Sequence, residues 1–144
     1  MTTTFEGKVL WSHIDANMHM RHSAYADFGA QARIEAFSES GINMELYNKH
    51  KIGPILFREE LIYHREVGMN DVLKVTTELT KFNSEKLRYS IKNEIFRSDG
   101  VKAATIHVDG AWIDMKTRKL AQSLPEEVMK CFLSLTKSED FQML

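Results

Sequence analysis

Between His13 and Ser23 the chain is dense in histidine, methionine, aspartate and asparagine: His13-Ile-Asp15-Ala-Asn17-Met18-His19-Met-Arg-His22-Ser23. Asp15 is the residue there best suited to chemistry. It falls where an extended segment gives way to a helical one, so its carboxylate is expected near the helix N-terminus. The backbone N–H groups at that end, at about His22 to Ala24, have no partner within the helix. They can face a ligand carbonyl and hold the oxyanion formed on attack. A carboxylate beside such N–H groups suits acyl transfer, with Asp15 as base for water or as nucleophile. Asn17 and His19, two and four residues on, can orient the water or carry a proton. The same residues admit a plainer reading, in which Asp15 and Asn17 cap a turn and the histidines are solvated. Spacing alone favours the plainer one. A metal centre is not expected, because His13, Asp15, His19 and His22 match no compact zinc spacing and no cysteine lies nearby.

The elements that must position these residues are legible from periodicity. Residues 5–12 read as a strand leading into the segment. From Ser23 to Ser40 the period becomes helical, with Tyr25, Phe28, Ala32, Ala36 and Phe37 on one face. Ser23 is placed as N-cap, Gly41 as the C-terminal stop, and Asp27 near the favourable end of the dipole. Gly29, Ala30 and Ala32 keep this helix slim, as a curved sheet wrapped around it would require. Gly41 to Pro54 reads as a polar loop or irregular helical turn. The period then becomes two. Strands are predicted at 55–66, around Leu73–Leu79, around Leu87–Ile95, and from Ala104 to Trp112, separated by turn signals at Gly68–Asp71, Ser98–Gly100 and Asp114–Lys119. Glu59 falls on the apolar face of the first of these, which predicts either proximity to a substrate channel or a bulge. Pro125 suits the first turn of a closing helix from Glu126 to about Leu135. One long helix followed by consecutive strands predicts an α+β domain with an antiparallel sheet.

Two motifs then carry a resemblance. Trp11-Ser-His-Ile-Asp15-Ala-Asn-Met-His19-Met-Arg-His-Ser-Ala-Tyr25, followed by Ala32-Arg33, resembles the signature of the hydroxybenzoyl-CoA thioesterase family. Asp15 matches its catalytic aspartate, and His19 and Tyr25 fall at the family's intervals. The Asp15-x-Asn17-x-His19 run, with Tyr63-His-Arg-Glu66 further on, is similar to the fatty acyl-carrier-protein thioesterases of the same superfamily. The resemblance covers nearly the whole chain. It departs from the family at His13, in place of a first aspartate, at Met18, in place of a glycine, and at Arg21 and His22, in place of paired asparagines. An N–H is supplied by any residue except proline, so a backbone role for His22 survives.

The resemblance implies a hot-dog fold: an antiparallel curved sheet wrapped around one long helix, with a short C-terminal helix, as a single domain over 1–144. It implies hydrolysis of an acyl-CoA or acyl-carrier-protein thioester. Asp15 would be base or nucleophile, and Asn17, His19 and Glu66 would position or activate water. The His22 N–H would help form the oxyanion hole, with Met18 and Tyr25 against the substrate, and no cofactor is needed. It also implies a homodimer with sheets joined edge to edge, or a homotetramer, with Asp15 facing the partner's strands. Two competitors are a hot-dog dehydratase acting on hydroxyacyl thioesters and a non-catalytic acyl-thioester binder.

Composition narrows the class further. A formal net charge of −1 argues against a nucleic-acid partner, which favours a basic excess. The single Cys131 forms no internal disulfide, and no leader or membrane span is evident, so a soluble cytoplasmic protein is expected. Lys81, Lys86 and Arg88 flank one strand turn, where they either hold coenzyme A phosphates or form an ordinary solvated hairpin end. His64 and His107 are expected in packing or surface roles.

Overall fold

The computed structural model describes residues 3–144; Met1 and Thr2, at the start of the stretch read above for a leader, lie outside them. Strand β1 (Thr3–Lys8) is followed by a 3₁₀ turn at Trp11–His13, then by α1 (His22–Ser40) and α2 (Met44–His50). Strands β2 (Ile52–Tyr63), β3 (Val72–Asn83), β4 (Arg88–Phe96), β5 (Lys102–Asp114) and β6 (Lys119–Leu120) come next, then α3 (Glu126–Leu133) and β7 (Lys137–Met143). The sheet has seven strands in the order β1-β3-β4-β5-β2, with β6 beside β5 and β7 beside β3; every pairing is antiparallel except β3–β7. The sheet curves as a half-barrel around α1. This is the hot-dog fold.

The apolar face of α1 is the one periodicity predicts: Tyr25, Phe28, Ala32, Ala36 and Phe37 are all buried. Close approach to the sheet depends on Gly29, where a Cβ would stand 2.7 Å from Ile106 Cδ1. Ala30, by contrast, is exposed and does not contribute to that slimness. Gly41 closes the helix at φ 103°, with its N–H bonded to the Phe37 and Ser38 carbonyls, a backbone that L side chains rarely adopt. The helix begins one residue earlier than expected. Arg21 is the N-cap and makes no side-chain cap, while the Ser23 hydroxyl accepts a hydrogen bond from Arg21 Nη1 at 2.5 Å instead.

Other boundaries also move. The first strand ends at Lys8 rather than residue 12, because Val9 pairs its backbone with Asn70 and Asp71 and the chain then turns. The stretch after Gly41 is a true helix, with Asn43 Oδ1 accepting from the Leu46 N–H at 3.0 Å. Pro125 caps α3 instead of entering it. Strand β2 stops at Tyr63, so Glu66 lies in the connection to β3. A bulge between Leu56 and Arg58 breaks the alternation in β2 and leaves Phe57 outside the register, under the Arg88 guanidinium at 4.5 Å. Beyond the bulge Glu59 sits opposite Val108 and faces α1. The bulge is one of the two alternatives predicted for Glu59.

Strand β7 had no counterpart in the periodicity, since Lys-Ser-Glu-Asp-Phe-Gln-Met offers no alternation to read. It covers β3 at Leu79–Phe82, immediately beyond the stretch Val72–Thr77 that β1 covers. The two strands together shield one long edge. Phe132 of α3 closes the core against Phe82, Tyr89 and Trp112, with ring centroids 5.3–5.5 Å apart.

Candidate active site

The segment Asp15–His19 forms a tight loop at the foot of α1. Ile14 and Met20 bridge its ends, the Asp15 N–H bonds to the His19 carbonyl at 3.0 Å, and the Met18 N–H bonds to the Asp15 carbonyl at 3.0 Å. The turn needs a left-handed residue at its tip, and Met18 takes that conformation at φ 63°. This accounts for a glycine at the corresponding family position. The Met18 side chain stands 59% exposed above the loop, next to the site.

The loop is fastened on both sides. The Arg21 N–H donates to the His13 carbonyl at 2.7 Å, which sets the start of α1, and the Met20 N–H donates to the Val67 carbonyl at 2.7 Å. The second bond brings in the Arg65–Val67 connection and with it Glu66. Two tyrosines lock the same corner. Tyr25 donates to the Arg65 carbonyl at 3.4 Å, Tyr63 donates to the His22 carbonyl at 3.3 Å, and their rings meet edge to face at 5.1 Å.

Asp15 is half-buried, and one of its carboxylate oxygens accepts the Asn17 N–H at 2.9 Å. The Tyr25 hydroxyl is held above its ordinary range first by burial, then by the charges of Tyr63, Glu66 and Asp15 around it. Glu66 is exposed, and its carboxyl lies below the usual range. A hydrogen bond from its own backbone lowers it most, desolvation opposes this, and the neighbouring Arg97, His19 and Arg65 lower it further. Asp15, His19, Tyr25 and Glu66 thus share one electrostatic neighbourhood although about forty residues separate Tyr25 from Glu66.

The N–H groups opening α1 are those of His22 and Ser23, which meet no carbonyl among the described residues. The Ala24 N–H does not belong with them, since it bonds to the Arg21 carbonyl at 3.0 Å. The Asn17 and His22 side chains are exposed and make no hydrogen bond among the described residues. Among the same residues no group of His, Cys, Asp or Glu side chains is arranged to hold a metal. Met18 stands in solvent at the loop tip, whereas Tyr25, on α1, is in the core.

Arg97 is a member of this corner that the sequence did not reveal. From the β4–β5 turn its Nη1 donates to the Glu66 carbonyl at 3.1 Å, while Asp99 holds its guanidinium at 3.2 and 2.6 Å. No motif surrounds it, and its role depends on a hairpin folding across to the β2–β3 connection. The Lys81, Lys86 and Arg88 cluster lies at the β3–β4 turn, away from this loop, and Arg88 is engaged with Phe57. His64 bonds to the Thr105 hydroxyl at 3.0 Å, a packing role. Cys131 lies on α3 against Gly41.

Known proteins are similar to this chain in sequence and fold. A relative 24% identical over 114 residues, covering 78% of this chain and 83% of its own, is the long-chain acyl-CoA thioesterase FadM of Escherichia coli (strain K12). The fold matches the protein SAV2348 of Staphylococcus aureus, solved in complex with CoA, at a TM-score of 0.85 and 20% identity over 97% of this chain and 91% of that one. It also matches Slr0204 of Synechocystis, a 1,4-dihydroxy-2-naphthoyl-CoA thioesterase, at a TM-score of 0.80 and 17% identity over 94% and 98%. The model of one family, the thioesterase-like superfamily, matches residues 9–132, and the chain belongs to that superfamily.

Proposed function

We propose that this protein hydrolyses an acyl-CoA thioester, with Asp15 as the reacting carboxylate. The observation that carries the reading is the position of Asp15: half-buried in a loop braced against the start of α1, beside His19, Glu66 and Tyr25. In one route Asp15 takes a proton from water, and the resulting hydroxide adds to the thioester carbonyl. In the other Asp15 attacks directly, and water then resolves the mixed anhydride. Either way a negative charge develops on the carbonyl oxygen, and the His22 N–H at the positive end of the helix is suited to receive it. The C–S bond breaks, the thiolate takes a proton, and a free carboxylic acid leaves. Glu66, kept ionised beside His19, and Asn17 orient the water. Met18, at the exposed tip of the loop, bounds the space beside the thioester, while Tyr25 braces the loop from the core through the Arg65 carbonyl.

Coenzyme A is favoured as the thiol because FadM and Slr0204 act on CoA esters and SAV2348 binds CoA. Acyl-carrier-protein esters form the second arm of the test. The working unit is proposed to be a homodimer joined along β2, or a pair of such dimers. This strand pairs only with β5 among the described residues and carries exposed Leu56, Phe57, Ile62 and Tyr63. An open apolar edge of this kind invites a partner strand. Antiparallel pairing of two β2 strands would bring the Tyr63 end of one copy, beside its Asp15 loop, to the Ile52 end of the other.

Thiol release is the direct test, measured on short, long and aromatic acyl-CoA esters and on acyl-carrier protein, for the wild type and Asp15→Asn. Turnover that falls about 10²–10⁴-fold in the variant, with fold and assembly retained, is the expected result. Turnover untouched by the substitution removes Asp15 from the reaction.

A further inference from the structure

A groove of about 600 Å³ runs beside the second half of α1, between that helix, α2 and the start of β2. Its walls are mainly apolar, from Ile34, Phe37, Ile42, Met44, Ile55 and Leu56, and Ile34 and Met44 stand open at its rim. Its size falls within the range of small-molecule sites. One lining residue does not fit a purely aliphatic ligand. Arg33 is only 8% exposed, yet it lines the groove.

The guanidinium is incompletely used by the protein. Nη1 donates to Asn93 Oδ1 at 2.8 Å, and Nη2 lies 3.6 Å from Glu59 Oε2, beyond a hydrogen bond but close enough to balance charge. Asn93, fully buried, spends its amide on the Thr76 carbonyl and Thr77 hydroxyl at 3.0 and 2.8 Å. The other Arg33 N–H groups meet no acceptor among the described residues and are not sealed from solvent. Burial lowers the Arg33 pKa, but a guanidinium remains protonated, so these are permanent donors. A second donor joins them. Tyr47 lines the same groove, and its hydroxyl makes no hydrogen bond among the described residues and is pushed up to about 12 by burial, so it stays an O–H.

We infer that the groove takes the acyl portion of the thioester and that Arg33, charge-balanced by Glu59, selects acyl groups carrying an uncharged oxygen function, a hydroxyl or keto group, over plain hydrocarbon. This rests on the thioesterase reading and names its substrate class. The apolar walls hold the carbon skeleton, and the donors require an acceptor within it. The bulge at Phe57 makes the balance possible by turning Glu59 toward α1. With Arg33 neutralised in this way, the groove favours a dipole over a second carboxylate. An unsubstituted chain would leave buried donors unpaired, a penalty that sites built around a hydroxyl impose strongly.

The test compares kcat/KM for decanoyl-CoA, its 3-hydroxy and 10-hydroxy forms, and the mono-CoA ester of decanedioic acid. In the wild type at least one hydroxylated ester should exceed decanoyl-CoA by about tenfold or more. Glu59→Gln unmasks the Arg33 charge and should move preference toward the terminal carboxylate by about tenfold, a change that a purely structural arginine would not produce. Tyr47→Phe removes an unpartnered hydroxyl and should narrow the hydroxyl preference even if Glu59→Gln misfolds. Equal values across the panel in the wild type, or a Glu59→Gln enzyme with the original ranking, overturn the inference. Calorimetric binding of the same esters reads the ranking independently of hydrolysis. A ranked affinity without thiol release therefore sinks the thioesterase reading and upholds this one, whereas turnover without ranking does the reverse.

Discussion

At the residue scale the proposed chemistry concentrates in a loop whose tip carries an unfavourable backbone. A left-handed conformation at a residue with a Cβ costs about 1–2 kcal/mol, and the loss of chain entropy at glycine offsets part of that. Met18→Gly should therefore stabilise the fold by up to about 1 kcal/mol in urea denaturation, and a destabilised variant would mean that the Met18 side chain makes contacts worth more than the strain. Glu66 supports a prediction in pH. Its pKa is depressed, so the carboxylate is lost only as pH falls through a value below the ordinary 4.5. Activity that requires ionised Glu66 persists to that lower pH. Arg97→Gln removes one of the charges favouring ionisation and should move the acid limb of kcat/KM upward. A limb that does not move excludes Glu66 as its source. The place of Asp15 before a helix was legible at this scale because residue type and the change of period are both local. Arg97 was not, because nothing in its neighbours along the chain marks a contact made across two turns.

At the element scale, α1 is the support on which both the loop and the groove depend. Its period named the buried face correctly, because a 3.6-residue repeat of apolar side chains on a slim helix has one way to meet a curved sheet. Its cap was misplaced, because Ser23 has the right chemistry for capping but is drawn to the Arg21 guanidinium instead. Gly41→Ala forces a Cβ into a φ of 103° and to within 2.9 Å of Cys131 Sγ, and should cost about 1–2 kcal/mol by chemical denaturation. The Arg33–Asn93–Thr77 chain joins helix to sheet inside the core. Asn93→Ala strands a guanidinium and a hydroxyl there, with an expected loss of about 2–3 kcal/mol. A loss below about 0.5 kcal/mol would show that Glu59 or water takes over. Strand β2 shows the limit of period-two reading, since one extra residue at Phe57 moves every later side chain to the other face.

At the scale of the whole molecule, the two long edges of the sheet are treated differently. One is covered in succession by β1 and β7, while β2 is left open with apolar side chains beside the candidate site. The proposed dimer predicts light scattering at twice the 16.6 kDa chain mass or a higher even multiple. Joint replacement of Leu56 and Ile62 by lysine should weaken assembly at least about tenfold and lower turnover with it. A wild type that is monomeric and fully active at assay concentration would discard the shared site. Among the described residues no helix is long and apolar enough to cross a membrane.

The sequence by itself determined the helix face, the hot-dog class and the loop that bears Asp15. The helix face follows from local periodicity, the loop from a contiguous run of residues at a change of period, and the hot-dog class from the family resemblance that the two motifs carry. Tertiary structure alone decided that Arg97 joins that loop, that Glu59 turns inward to Arg33, and that a polar tail becomes β7. Those outcomes depend on a bulge, a hairpin crossing and the cover required by a strand edge, and each is settled by groups far apart in the chain.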